Sequence, residues 1–513
     1  MNRAAGTTAL RSGVIVASPG EQIGRGQQPL RDIAIAIAVM LVVTLALAVV
    51  LPPPINLIAG LAVGIVWIWR QPFNGLVLLI AAATLVEIFG LHFPDSLTDR
   101  IPFFQNLNNA YGLNGLSATP AEIVIGVTLL ACFSRRAITR TAERPSALLV
   151  AYMVFIACVI MGELNGLLLA GGDLNLSLWE IRPQVYGLLM FLVATSVVKE
   201  RKDLIALMTI FFAATLLKAG IGDWRYLVTL SRDLGTHESV LAHEDSFFLS
   251  LYLIATLVAL LWGFDRKPVR LLLFGSPIVL VALLANQRRA GEVGLAAGLL
   301  AVTVLAIRFR PALRNRVMVG VIIVAASLAI FIAIYWNHET GVLGQIVRPV
   351  RSLVDPTGRD FRSDAYRVAE TANLQLTFKS SPVVGIGFGI PYKVVYPMAD
   401  ISQIYPLWNV IPHNSLFWVA VRMGAIGYIA FWCLIGIAVL QAIAILRTRR
   451  DRLYLAFAAF AVAAIGAQLM LGYTDLQIEN YRNMIFIGAM LGVLNRLPSM
   501  EEARSAIQLK SAA

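Results

Sequence analysis

A chain of 513 residues that is 58% hydrophobic and only 14% charged, with mean hydropathy +0.75, is too apolar for a soluble domain and must have lipid as its solvent. The formal net charge of +12 then reads as basic residues marking one side of a membrane, and no nucleic-acid partner is expected. Cys132, Cys158 and Cys433 all fall inside apolar runs, which excludes a disulfide framework and a thiolate metal site.

Residues 1–31 are rich in Gly, Ser, Gln and Arg and lack an apolar region followed by a small-residue cleavage site, so they read as a disordered cytoplasmic tail. Apolar runs follow at 32–51, 55–70, 73–92, 120–134, 148–170, 184–198, 203–220, 246–264, 269–286, 290–307, 317–335, 423–446, 453–472 and 482–496. Most approach the roughly 20 residues that cross a bilayer, which predicts an all-α polytopic membrane protein with about 12–14 transmembrane helices. Residues 32–335 make an N-terminal bundle of about 11 helices, 336–422 one large polar loop, 423–496 the C-terminal helices and 497–513 a second tail.

Basic clusters occupy alternate connections: Arg135, Arg136, Arg140 and Arg144; Lys199, Arg201 and Lys202; Arg266, Lys267 and Arg270; Arg308, Arg310, Arg314 and Arg316; Arg447, Arg449, Arg450 and Arg452. The positive-inside rule then puts both termini in the cytoplasm. The loop and His92, His237, His243, His338 and His413 fall on the outer side. Glu87, Glu163 and Lys218 lie near the outer ends of their helices, so none marks an ion path at the midplane, and no repeat with broken helices is visible. A transporter of polysaccharide or lipid-linked oligosaccharide remains the alternative reading.

The outer connections carry the candidate chemistry. In Leu178-Trp179-Glu180-Ile181-Arg182-Pro183, placed in the connection just before a helix, Trp179 marks the lipid interface. Arg182 there is either half of a local ion pair with Glu180 or a fork for phosphate oxygens. Asn286-Gln287-Arg288-Arg289 puts two adjacent arginines in a short outer turn, either beside lipid headgroups or against an anionic substrate. His243-Glu244-Asp245 precedes a helix, and capping by its carboxylates accounts for it better than a divalent metal, so no metal or cofactor is expected.

Within the loop, Val368, Ala369, Ala372 and Leu376 predict a helix over 364–380 that buries this apolar face, with Arg367 off it. Pro382 and the series Gly385, Gly387, Gly389 then make a tight turn, without the flanking strand and acidic residue of a dinucleotide site. Pro412 stops the loop, Asn414 or Ser415 caps the next helix, and His413 stands at its N-terminus. The positive helix end and nearby arginines favour an uncharged imidazole that can accept a proton; the alternative is a histidine that only hydrogen-bonds there.

Arg362 and Arg367, followed by Ser381-Pro382-Val383-Val384-Gly385-Ile386-Gly387-Phe388-Gly389, His413-Asn414-Ser415-Leu416-Phe417 and Arg422-Met423-Gly424-Ala425-Ile426-Gly427, resemble the signature of the O-antigen ligase and O-antigen polymerase superfamily. The likeness is best over 360–440 and extends to Trp179–Pro183 and to the arginines before 290. It implies a glycosyltransferase-C-like fold in the bacterial cytoplasmic membrane and an undecaprenyl-diphosphate-linked glycan as donor. The acceptor would be a sugar hydroxyl on a glycan or glycolipid, and other polysaccharide assembly proteins are possible partners. By the resemblance His413 is the general base of an inverting, metal-independent transfer. Arg182, Arg288 and Arg289 would bind the diphosphate, with Arg362 and Arg367 in substrate binding and Glu180 and Asn414 in support. Relatives more often have Ser-Arg-Gly where this chain has Arg288-Arg289-Ala290, which leaves open the arginine that faces the diphosphate. Asp360 and Asp364 are the next candidates for the base.

Overall fold

The structure, a computed structural model, describes residues 53–88, 98, 101–108, 118–139, 145–232, 239–263, 266–338, 341–356, 358–403 and 405–512. The tail at 1–31, the run at 32–51, His92, His237, Arg140 and Arg144 lie outside them. Contacts divide the chain into Met1–Gly64 and Ile65–Ala513, and the second unit holds every candidate site residue.

The described chain is helical and has no strand among the described residues. In order it forms α1 (Pro53–Arg70), α2 (Phe73–Leu85), α3 (Pro120–Thr139), α4 (Ala147–Leu164), α5 (Leu174–Val197), α6 (Arg201–Trp224), α7 (Asp245–Trp262), α8 (Arg266–Ala285), α9 (Arg289–Phe309) and α10 (Arg314–Tyr335). The loop contributes α11 (Gly341–Val354) and α12 (Gly358–Ser380), and α13 (Ser415–Thr448), α14 (Arg452–Thr474) and α15 (Tyr481–Ala512) follow. Among the described residues eight helices are long and apolar enough to cross a membrane: α4, α6, α7, α8, α9, α10, α13 and α14. The all-α polytopic membrane architecture is therefore as the sequence predicts. Every apolar run from 55–70 onward falls on a helix, although the run at 73–92 leaves the helix after Leu85.

α5 and α13 begin well before their apolar runs, at Leu174 and Ser415 against 184 and 423. Asp173 caps α5, its Oδ1 accepting the Leu176 amide at 2.9 Å, so the helix starts at Leu174 and continues through Pro183. Proline inside a helix removes one hydrogen bond and strains one turn, and here packing holds the helix across it. Trp179, Glu180 and Arg182 are thus on a helix and not in a connection. Asn414 likewise caps α13 by accepting the Phe417 amide at 2.9 Å.

Helices pack through small residues, as lipid supplies no hydrophobic drive between them. On α5 and α15, a Cβ at Gly488 would stand 2.1 Å from the Gly187 carbonyl, so this contact admits only glycine. Two buried cations gather at the C-terminus of α2. Lys218 pairs with Glu87, donates to the Leu85 carbonyl at 3.0 Å and lies 3.6 Å from Asp245. Arg482 pairs with Asp245 and donates to the Ala83 and Thr84 carbonyls at 2.7 and 3.1 Å. The two cations thereby satisfy the carbonyls left open at the C-terminus of α2. Asp245 does part of the capping expected of it, accepting the Ala242 amide at 3.0 Å, but its larger role is to hold these two cations.

Candidate active site

The loop is anchored where α13 breaks. Gly424 adopts φ 63° and ψ −165° inside the helix, which frees backbone groups on both sides of it. The Ile386 and Gly387 amides donate to the Val421 and Arg422 carbonyls at 2.9 and 3.1 Å, and the Ala425 and Ile426 amides donate to Pro382 and Val383 at 2.9 and 3.3 Å. The glycine series does more than turn the chain. A Cβ on Gly385 would meet the Arg422 carbonyl at 2.3 Å, one on Gly387 the Gly166 amide at 2.3 Å, and one on Gly389 the Asp173 carbonyl at 2.4 Å. Each glycine docks backbone against a different membrane element.

Arg422 locks this arrangement from within. Its Nε lies 2.5 Å from Glu180 Oε1, Nη1 donates to the Gly387 and Ile390 carbonyls at 3.0 and 2.5 Å, and Nη2 donates to Val410 at 2.7 Å. Glu180 also accepts the Gly389 amide at 2.7 Å and the Trp418 indole at 2.8 Å. Glu180 is fully buried and pairs with Arg422 and not with Arg182, which overturns the local ion pair, one of the two readings of Arg182 that the sequence left open. Arg182 points elsewhere on α5, its Nε 3.7 Å from Glu122 Oε1, both groups about one-quarter exposed.

The loop helix α12 starts six residues before the predicted 364 and turns an unexpected face inward. Val368 is 71% exposed, whereas Glu370, Asn373, Leu374 and Thr377 are buried. The reason is the extended segment beside it. Asn373 Oδ1 accepts the Val395 and Tyr396 amides at 2.8 and 2.7 Å, and Thr377 Oγ1 accepts the Lys393 amide at 2.9 Å. Unpaired amides demand partners more strongly than one valine demands burial.

His413 meets this polar face. Its backbone amide donates to Glu370 Oε2 at 3.0 Å, and its ring Nδ1 lies 3.1 Å from Glu370 Oε1. The imidazole is 23% exposed while Glu370 is buried. Tyr366 packs edge-on to the ring at 5.5 Å between centroids, and Tyr405 lies at 6.4 Å. Burial, and after it the charge of Glu370, push the phenols of Tyr366 and Tyr392 well above their ordinary range.

A second histidine–carboxylate pair adjoins the first. His243 Nδ1 lies 3.5 Å from Asp475 Oδ2, and Ser415, two residues after His413, donates to the Asp475 carbonyl at 3.3 Å. Burial, the largest influence on Asp475, favours its protonated form, but His243, then Arg367 and His413, outweigh it and hold the carboxyl well below its ordinary range. Glu479, hydrogen-bonded by Ser415, is pushed up to about 8 by burial. The surroundings of His413 are thus richer in carboxylates than the sequence suggested, and Arg367 is the expected arginine that reaches them.

The other arginines stand farther along α12. Arg289 forks Asp364 at 2.6 and 3.2 Å and approaches Asp360 at 3.8 Å. Arg348 of α11 forks Asp360 at 2.8 and 3.1 Å and donates to Gln287 at 2.6 Å. A void lined by Gln287, Arg289, Glu292 and Arg348 borders this cluster. Arg288 is the residue before α9, and Arg362 is exposed. Asp364 and Glu370 are six residues apart, a rise of about 9 Å, so one helix carries both the carboxylate at Arg289 and the one at His413.

Glu370, Asp475, His243 and Arg348 were not among the residues singled out for the site from sequence. Glu370 and Asp475 had no apolar or motif context to mark them. Arg422 stood in the quoted motif, and as a cation in an apolar helix it carried its own signal.

Residues 274–432 match the family model of the O-antigen ligases. This span runs from within α8 through both loop helices to the middle of α13, and it holds Arg288, Arg289, Arg362, Arg367, Glu370, His413 and Arg422. Arg182, His243 and Asp475 lie outside it. No curated protein matches the chain. Residues 274–432 of this polytopic membrane protein are thus similar to the O-antigen ligases, as the motifs of the same stretch imply.

Proposed function

We propose that the protein transfers a glycan from undecaprenyl diphosphate to a sugar hydroxyl at the outer face of the bacterial cytoplasmic membrane, with both termini cytoplasmic. The observation that carries this reading is His413, partly exposed just before α13 inside the family-matched segment and paired with Glu370, which lies on the same loop helix as Asp364 of the Arg289 cluster. The acceptor hydroxyl gives its proton to Nε2 of His413 while its oxygen bonds the anomeric carbon from the side opposite the diphosphate. The carbon–oxygen bond to the diphosphate breaks, its electron pair stays on the phosphate oxygen, and the anomeric centre inverts. Arginine forks stabilise that charge, with Arg289, Arg288, Arg182, Arg362 and Arg367 as the ligands.

Arg289 now holds carboxylates, so the diphosphate must replace Asp364 as its partner. Both are bidentate acceptors for one guanidinium, which makes the exchange chemically even-handed. Deleting the gene from its host and sizing the lipid-linked glycans tests the reading. Accumulation of outward-facing donor supports transfer, by ligation if it is full-length and by polymerisation if it is single units. Accumulation on the cytoplasmic face alone would favour a transporter.

A further inference from the structure

A carboxylate that turns one oxygen to the backbone and the other to the ring of the same residue has consequences for that residue's chemistry. Glu370 Oε2 accepts the His413 backbone amide at 3.0 Å and Oε1 faces Nδ1 at 3.1 Å, in a buried position on α12. A carboxylate is an acceptor only, so the nitrogen it faces must carry the proton. The other nitrogen of a neutral imidazole is then an acceptor.

We propose that Glu370 is the positioning residue of His413, holding the ring proton on Nδ1 and leaving Nε2 as the atom that takes the acceptor's proton. The inference rests on the reading of His413 as the base. Glu370 is buried and turns both oxygens toward His413, so its role is indirect. It acts through the ring by selecting one tautomer, and through the backbone amide by fixing where the ring begins. Tyr366, edge-on to the imidazole, bounds the ring's rotation from the same helix.

The two contacts make an unusual prediction about substitution. In Glu370→Gln the side chain keeps its size but has one oxygen and one NH2. The His413 backbone amide can only donate, so the oxygen must face it, and the NH2 falls opposite Nδ1. That donor forces Nδ1 to accept, moves the ring proton to Nε2 and removes the proton acceptor. Glu370→Ala leaves the tautomer free and loses only the orientation. The isosteric change is therefore the more harmful of the two, whereas a residue needed only for packing would show the opposite order.

The test uses the full-length protein with host-extracted lipid-linked oligosaccharide as donor and membranes of the deletion strain as acceptor. Glu370→Gln is expected to lower kcat by about 10²–10⁴, the span of a lost general base, with donor KM unchanged. Glu370→Ala is expected to retain about tenfold more kcat than Glu370→Gln. His413→Gln runs beside them. If His413→Gln is inactive while Glu370→Gln equals or exceeds Glu370→Ala, the positioning role is overturned and the base stands. If His413→Gln turns over like the parent, the base assignment fails and the positioning role fails with it. Should Glu370→Ala not fold, Glu370→Asp replaces it: the carboxylate restores more kcat than Gln does if the tautomer matters, and no more if it does not.

Discussion

The Arg422 guanidinium rests against the Glu180 carboxylate with Nε 2.5 Å from Oε1 and both side chains sealed from solvent. This pair joins α5 to the kinked α13 and holds the carbonyls of Gly387, Ile390 and Val410 around it. Breaking such a pair from one side leaves an uncompensated buried charge at a cost of about 3–5 kcal/mol. Glu180→Gln and Arg422→Met are each expected to lower the melting temperature in detergent and to expose the 382–412 segment to protease. The double variant should lose less than the sum. Unchanged melting in both single variants would contradict the locking role.

The fork between Arg289 and Asp364 makes a prediction about donor binding. Asp364→Asn removes a competitor for the guanidinium, so donor KM should fall about fivefold, part of a charge-assisted contact worth about 1.5–3 kcal/mol. Arg289→Ala should raise it by a similar or larger factor, and Arg289→Lys should recover only part, as Lys cannot fork. Initial rates against donor concentration decide the matter. Equal KM in all three variants would remove Arg289 from the diphosphate site.

Glu479 makes stability depend on pH. Burial raises its carboxyl to about 8, above the unfolded value of about 4.3. Between those two pH values the unfolded chain has lost the proton that the folded chain keeps. The contribution is therefore full below the unfolded pKa and is lost as pH rises through about 8. Melting temperature should decline from pH 5 to pH 9 in the parent, and Glu479→Gln should flatten that decline. An equal slope in the variant would mean that Glu479 ionises normally in the fold.

Orientation is tested by labelling. With Cys132, Cys158 and Cys433 replaced, Val354→Cys on α11 and Thr448→Cys at the end of α13 both offer exposed thiols. An impermeant maleimide should label the first and spare the second in cells with a permeabilised outer membrane. The reverse pattern would put the loop in the cytoplasm.

The membrane helices were legible in the sequence because apolar runs near spanning length report them directly, down to the exposed α10, which buries no residue. The buried face of α12 was not. Val368 and Leu376 sit at helical spacing, but the face that packs is set by backbone amides at 393–396, whose need for Asn373 and Thr377 no periodicity registers. Glu370 was hidden for the same reason, since a carboxylate on the polar side of a loop helix reads as solvated. Pro183 hid the true start of α5 and so placed Glu180 in a connection, beside Arg182 instead of Arg422. His413 was legible through its place before a cap and an apolar helix, whereas its carboxylate neighbours arrive from segments 43 and 60 or more residues away.

The central claim is that His413 takes the acceptor's proton. Its most direct measurement is turnover of His413→Gln, with host-extracted lipid-linked oligosaccharide as donor and donor binding measured separately. A loss of about 10²–10⁴ in kcat with donor binding intact is the predicted result. Turnover equal to the parent would contradict it.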